Sequence, residues 1–417
     1  MRLLIVLHQF YPEFSGGTER VALNLARGAQ RAGHHVRVLA CAVNRGDSFG
    51  VACAGLPAAR DTVYQGVPVT LLPRTLLPAT ADYSLDIAPE LVDPLAQWMR
   101  SERFDLVHVM HTMRMGTAVL AAQRCGLPYL LTLTDFFLPC ARINLVDLDN
   151  RLCDGPRAGE QCAIRCRAAP WDRESLLSRH AFARNLLASA SLLVAPSEFV
   201  AARYRAAFPG CSVRVVPHGI DLLALGAGDD DPPRRAGEGP LVLGYVGAIH
   251  AQKGLDVLLR AFAKVQAPQL RLRVIGGFYG PRAYHDDIRA LASADLRVEL
   301  LGQLAAGDVL RAVRGLDLLC LPSRVPETFS LALHEAAALG VPALVSNLGA
   351  PGDLLSRTGG GQAVAAGDVR AWAAAIRAIA NNPAQLGLWR AELQLPLRVE
   401  EECFFYDAMY RTLLPSA

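Results

Sequence analysis

Short apolar runs rich in Leu, Val and Ile punctuate the chain, and between them apolar residues recur at helical spacing. LLIVL (3–7), HVRVLA (35–40), DLVHVM (105–110), PYLLTLT (128–134) and SLLVAPS (191–197) read as strands, while Thr18 to Arg31 and Ala88 to Arg100 read as helices. Strand-forming runs separated by amphipathic helices predict an α/β chain with a parallel, doubly wound sheet. The pattern continues through VRVVPHGID (213–221) and then breaks at LGAGDDDPPRRAGEGP, whose Gly, Asp and Pro suit neither helix nor central strand. It restarts with LVLGYVG (241–247), a helix from Leu255 to Val265, LRLRVIGG (270–277), VELLG (298–302), DLLCLPS (317–323), a helix from Ser330 to Leu339 and PALVS (342–346).

The expected organisation is a first domain over 1–221, a linker over 222–238, a second domain over 239–395 and a terminal helix over 396–417. That helix is expected to pack back on the first domain through Phe404, Phe405, Met409 and Leu413. A length of 417 residues agrees with two cores rather than one. Ligands of doubly wound sheets bind at the carboxyl ends of the strands, so the cleft between the domains is the expected site.

Composition narrows the function classes. With 52% hydrophobic and 19% charged residues the chain lies far from the signature of disorder. A net charge of +3 without a nucleic-acid motif argues against a nucleic-acid partner. The opening MRLLIVLHQFYP reads as a first strand rather than a signal peptide, and no apolar run approaches the roughly 18 residues that span a bilayer. A cytoplasmic protein is expected. The Arg-rich stretch around Arg173, Arg179 and Arg184 is either a peripheral membrane contact or solvated surface.

The most informative segment is PSRVPETFSLALHEAAALGVP, where Ser330 stands at a helix N-cap and Gly340 and Pro342 end the helix. Backbone amides near Phe329, Ser330 and Leu331 then face outward with a partial positive charge, suited to a diphosphate. Glu335, inside the helix, can accept hydrogen bonds from ribose hydroxyls; Glu327, ahead of it, points at a sugar. A carboxylate beside a diphosphate needs a nearby cation, and Lys253 is the candidate. Only Lys253 and Lys264 interrupt the use of arginine for positive charge. In the first domain SGGTER places Gly16 and Gly17 after strand one, where small residues permit close approach of a phosphate or sugar. His108 and His111, at the end of their strand, are acceptor-side candidates, with His8 beside them.

Together Gly16-Gly17-Thr18-Glu19, Val216-Pro217-His218-Gly219-Ile220-Asp221, Gly247 with Lys253-Gly254, and Glu327 through Glu335 in an E-x7-E pattern resemble the retaining glycosyltransferases of family 4. The resemblance implies the GT-B fold, two Rossmann-like domains facing across a cleft. It implies catalytic roles for Glu327 and Lys253: Lys253 on donor phosphates, Glu335 on the ribose, Glu327 on the donor sugar, and Gly16 and Gly17 closing from the other domain. The same resemblance implies that no cofactor is needed for catalysis. The partners it implies are a nucleotide-diphosphate sugar, UDP- or GDP-linked, and a glycan or lipid-linked acceptor. Such chemistry serves surface polysaccharide or glycoconjugate synthesis. Two positions depart from the pattern. Ala248 stands where an Arg is common, with Arg324 or Arg282 as substitutes, and Thr134-Asp135 stands where His-Asp is common. A phosphorylase- or synthase-like enzyme and a degenerate nucleotide-binding module are the rival readings.

Cys140, Cys153, Cys162 and Cys166 fall within one insertion, about 138–170, that has little apolar material of its own. A tetrahedral thiolate site for a structural zinc is the first expectation, an iron–sulfur cluster the second, and free or disulfide-bonded thiols the alternative.

Overall fold

In a computed structural model the chain is described except for residues 43–49, 81–83, 169–170, 223–238 and 415–417, so most of the expected linker lies outside the described residues. The chain divides into two compact units, Met1–Gly219 with Val399–Ala417, and Ile220–Arg398.

The first unit holds β1 (Arg2–Leu7), β2 (His35–Cys41), β3 (Val51–Cys53), β4 (Leu56–Tyr64), β5 (Val67–Leu72), β6 (Leu106–Val109), β7 (Tyr129–Thr132), β8 (Leu192–Ala195) and β9 (Val213–Val215). Their order is β3-β4-β5-β2-β1-β6-β7-β8-β9. β3, β4 and β5 pair antiparallel at one edge, whereas β2, β1, β6, β7, β8 and β9 run parallel. Every residue of β6 and β7 is buried, as a strand covered by helices on both faces requires.

The second unit holds β10 (Leu241–Val246), β11 (Leu270–Ile275), β12 (Val298–Gly302), β13 (Leu318–Leu321), β14 (Ala343–Ser346) and β15 (Gly361–Val364), in the order β12-β11-β10-β13-β14-β15. All five pairings are parallel. Two doubly wound sheets result. In each, the crossovers run in opposite directions on either side of the first strand, so the loops after β1 and β6, and those after β10 and β13, part to leave a crevice.

The terminal helix Val399–Leu413 returns to the first unit and packs on the helix Gly17–Arg31. The two backbones approach closely at Gly28, where a Cβ would lie 2.2 Å from Cys403 Sγ. Its buried stripe is Val399, Glu402, Tyr406, Met409 and Tyr410. Phe404 and Phe405, expected inside, are 70% and 45% exposed. Glu402 takes the inward position because its carboxylate accepts from Gly219 N–H at 2.8 Å and meets His218 Nδ1 at 2.9 Å.

No helix among the described residues is long and apolar enough to cross a membrane. Arg179 cannot serve a membrane contact: it is buried, donating to the carbonyls of Leu138 at 2.9 Å and of Phe137.

Candidate active site

The second sheet puts its chemistry at its own switch point. After β10 the chain makes a 3-10 turn, Ala251–Lys253, that ends in left-handed Gly254 at φ 70°. A Cβ on Gly254 would stand 2.1 Å from the Pro322 carbonyl oxygen, so glycine lets the loop after β10 touch the loop after β13. Arg324 N–H donates to the Gln252 carbonyl at 2.8 Å across the same contact. The Arg324 guanidinium pairs with the Asp256 carboxylate, which also accepts from Tyr284 Oη at 3.0 Å.

These ties bring Lys253 Nζ to 3.1 Å from Glu327 Oε1. The ammonium is 39% exposed and the carboxylate 15%, so the pair borders solvent while Glu327 is largely enclosed. Behind Glu327, Ala350 N–H donates to its carbonyl at 2.8 Å. Buried Tyr245 lies near enough that, after burial, the Glu327 charge helps push its hydroxyl well above the ordinary value. Gly349, at φ 70°, lets the chain pass so close to Glu327 that a Cβ would fall 2.3 Å from the Glu327 nitrogen.

The next helix is Leu331–Ala338, and here one expectation fails. Ser330 occupies the N-cap position but makes no side-chain cap bond, because its backbone is left-handed at φ 74° and ψ 88° rather than extended. Phe329 is buried and stacks on the His334 ring at 3.9 Å and 4°. His334 Nδ1 reaches the Ser330 carbonyl at 2.9 Å. The first-turn amides, Leu331 included, have no carbonyl one turn back, which leaves the helix start suited to an anion. Glu335 is half-buried on the second turn. Of the two arginines named as substitutes for the residue at Ala248, Arg324 flanks Lys253 and Arg282 is 93% exposed.

The first sheet gathers a separate set at its own switch point. Gly16 stands at the N-cap of the helix Gly17–Arg31, where a Cβ would lie 2.6 Å from Glu19 Oε2. The Glu19 carboxylate turns back there and is buried, and burial raises its pKa. His8, at the end of β1, is 3.9 Å from Glu19 and 4.0 Å, centroid to centroid, from the His111 ring. Burial first, then His111 and Arg114, push His8 well below its ordinary value, so it is neutral. His111 Nδ1 accepts from Met113 N–H at 3.1 Å, which leaves Nε2 to face the Asp135 carboxylate. Burial works to raise Asp135, but His111 and the Phe137 amide outweigh it and hold the carboxyl below the ordinary range. Thr134 Oγ1 bonds the Met110 carbonyl at 2.8 Å.

His108 does not belong to this set. It has no accessible surface, its Nδ1 lies 2.7 Å from Tyr410 Oη and its Nε2 2.7 Å from Thr132 Oγ1. Alternation along β6 turns it into the core beneath the terminal helix, out of reach of any acceptor. His8, named beside His111 from the sequence, does join His111 and Asp135; what the sequence did not single out is that Glu19 turns into the same set. The available signal for Glu19 was its place in the first turn of the helix that follows β1.

Two family profiles match the chain: "Glycosyltransferase Family 4" over residues 15–222 and "Glycosyl transferases group 1" over 240–382. Among curated proteins, a D-inositol 3-phosphate glycosyltransferase of Stackebrandtia nassauensis is 30% identical over 59% of this chain and 53% of its own length. The Rhodococcus opacus protein of the same name is 34% identical over 43% of each. The chain thus spans about half the length of the curated relatives it matches. Among solved structures, HepE of Anabaena in complex with UDP and glucose superposes with a TM-score of 0.70 at 17% identity, covering 99% of this chain and 100% of that one. WaaG, described as a glycosyltransferase involved in lipopolysaccharide biosynthesis, gives 0.61 at 16% identity over 94% of both. At these identities the superpositions bear on the fold.

Proposed function

The chain belongs to glycosyltransferase family 4, the group 1 glycosyl transferases, and from that premise we propose that it is a retaining transferase moving a sugar from a UDP- or GDP-linked donor to a hydroxyl of a glycan, glycolipid or related acceptor. The observation that carries this reading is the Lys253–Glu327 pair, 3.1 Å apart at the switch point of the second sheet and just ahead of the helix Leu331–Ala338. A diphosphate there meets an ammonium and the helix's first-turn amides together. When the donor arrives, Lys253 turns its charge to a phosphate oxygen, and Glu327, released from the pair, accepts from hydroxyls of the donor sugar. Glu335 accepts from the ribose.

The protein's share of the chemistry is position and charge. The bond from anomeric carbon to phosphate oxygen breaks while the acceptor oxygen bonds on the same face, and the leaving phosphate takes the acceptor's proton. Thr134, His111, Asp135, Gly16 and Gly17 are the acceptor-side groups of this scheme. The names of the relatives make a phosphorylated polyol one acceptor to include among candidates, and surface polysaccharide or glycoconjugate synthesis the setting.

The test is a thermal-shift screen of UDP and GDP joined to a transfer assay. A ligand at a hundred times its dissociation constant adds about 2.7 kcal/mol of stability. Lys253→Ala loses most of that gain, whereas Glu327→Ala keeps nucleotide binding and loses transfer. Wild-type protein that gains no stability from either nucleotide and turns over no UDP- or GDP-sugar overturns the reading.

A further inference from the structure

Ala248 stands where the family commonly has an arginine, so the loop after β10 is one cation short of its pattern. The arginines nearby do not make up the loss. The Arg324 guanidinium is already committed to the Asp256 carboxylate, which Tyr284 Oη also holds at 3.0 Å. Arg282 is 93% exposed, and its partner Asp286 lies 3.9 Å away. Lys253 would then have to serve both Glu327, 3.1 Å from its Nζ, and a diphosphate.

His250 is the side chain of that loop with a donor to spare. The loop is zipped to the one after β11: Ile249 N–H donates to the Gly277 carbonyl at 2.8 Å, and Tyr279 N–H to the Ile249 carbonyl at 3.0 Å. The next residue, half-buried His250, is thereby set over Gly280, where a Cβ would lie 2.8 Å from the ring Cδ2 and 3.1 Å from Nε2. Glycine at φ 88° leaves that edge of the ring a bare seat. The other edge is tied down, with Gln252 N–H donating to Nδ1 at 3.3 Å. A ring nitrogen that accepts an N–H carries no proton, so the neutral ring holds its proton on Nε2. Among the described residues nothing accepts from Nε2. Burial first, then Lys253 and His285, hold the group below its ordinary value, so the ring is neutral at pH 7. Lys253 N–H donates to the His250 carbonyl at 2.8 Å, the bond of a 3-10 turn, in which side chains three residues apart eclipse. The ring and the Lys253 side chain therefore leave the turn on the same side.

We propose that His250 Nε2–H binds the diphosphate of the nucleotide beside Lys253, in place of the cation absent at 248. The inference rests on the transferase reading of this site. A neutral imidazole suits the position: it adds no second positive charge against the Lys253 ammonium while the site is empty. Once a diphosphate is bound, an N–H on a charged oxygen makes a charge-assisted hydrogen bond, stronger than one between neutral groups. The seat on Gly280 and the tie to Gln252 fix the ring in advance, so little ordering remains to be done when the nucleotide binds.

Isothermal titration of the full-length chain with UDP and GDP, and with the nucleoside of whichever binds, decides the matter. His250→Ala and His250→Asn are expected to lose roughly tenfold or more in nucleoside-diphosphate affinity, the worth of one hydrogen bond to a charged group, and nothing in nucleoside affinity. His250→Gln is expected to recover most of the loss, because its amide N–H reaches the position of Nε2. A histidine that served only to cap the 3-10 turn through Nδ1 would give the reverse, since asparagine is a good cap and matches Nδ1 in reach. Unchanged nucleotide affinity in His250→Ala, a parallel fall in nucleoside affinity, recovery by His250→Asn, or no recovery by His250→Gln each overturns this inference and leaves the transferase reading standing. Wild type that binds neither nucleotide overturns both.

Discussion

Gly349→Ala separates the placement of Glu327 from the stability of the second unit. At φ 70° an alanine costs about 1–2 kcal/mol in backbone strain. Its Cβ would stand 2.3 Å from the Glu327 nitrogen and 2.5 Å from the Glu327 oxygen, where ordinary contact begins at 3.4 Å. The Glu327 loop must therefore retreat by roughly 1 Å, a displacement that can cost on the order of 100-fold in rate when it moves a positioned group. The same retreat weakens the bond from Ala350 N–H to the Glu327 carbonyl, 2.8 Å long in the native chain. Gly367 is the control: its φ is 71° and a Cβ there meets nothing within 4 Å, so Gly367→Ala imposes strain without displacement. Urea unfolding should show the strain alone in Gly367→Ala and a larger loss in Gly349→Ala, which adds the displaced loop and the weakened bond. A transfer assay should show kcat down on the order of 100-fold for Gly349→Ala and near wild type for Gly367→Ala. Equal activity in the two variants refutes the claim that this contact sets the position of Glu327.

Two further outcomes follow from the first unit. His108 is held down to about 3 by burial and then by the His218 charge, with Tyr406 and Tyr410 as its other titratable neighbours. The unfolded chain, titrating near 6.5, therefore binds the extra proton, and His108's contribution is complete above that pH and is lost as pH falls from 6.5 towards 3. At pH 5 the loss is about 2 kcal/mol. Urea titrations at pH 5 and 7 should show this difference shrinking in His108→Gln, and an unchanged pH slope refutes the assignment. Glu402→Ala leaves the His218 ring and the Gly219 N–H without their buried acceptor, at a cost of about 2–4 kcal/mol. A calorimetric midpoint within a degree of wild type counts against that clamp.

Where apolar and polar residues alternate with a clean period, the sequence alone locates the element. The strand runs that end at Leu7, Val109, Thr132, Val246 and Leu321 fall where periodicity puts them, and Glu327 lies in the loop that Gly340, Pro342 and the helix pattern imply. The terminal helix shows the limit. Its buried positions, 399, 402, 406, 409 and 410, form a regular helical stripe, but one of them is a glutamate. A carboxylate on an apolar face reads as the solvent side until its partners, a histidine ring 184 residues earlier and the amide that follows it, are in place. The adjacent phenylalanines then look like the inward face.

The same limit governs the site. Residues 8, 19, 111 and 135 share no spacing rule, since a doubly wound sheet collects them from three strand ends and a helix start. Proximity follows from strand order, and strand order is set by which crossover each helix takes. In the second unit the reading was easier because Lys253 and Glu327 belong to motifs readable within their own loops. The contact that joins them is another matter: Gly254 against the Pro322 carbonyl is a steric fit between loops 68 residues apart, visible only once β13 lies beside β10. A sequence can name Lys253 and Glu327, but the absence of a Cβ at 254 and at 349 is what lets their loops bring the two side chains together.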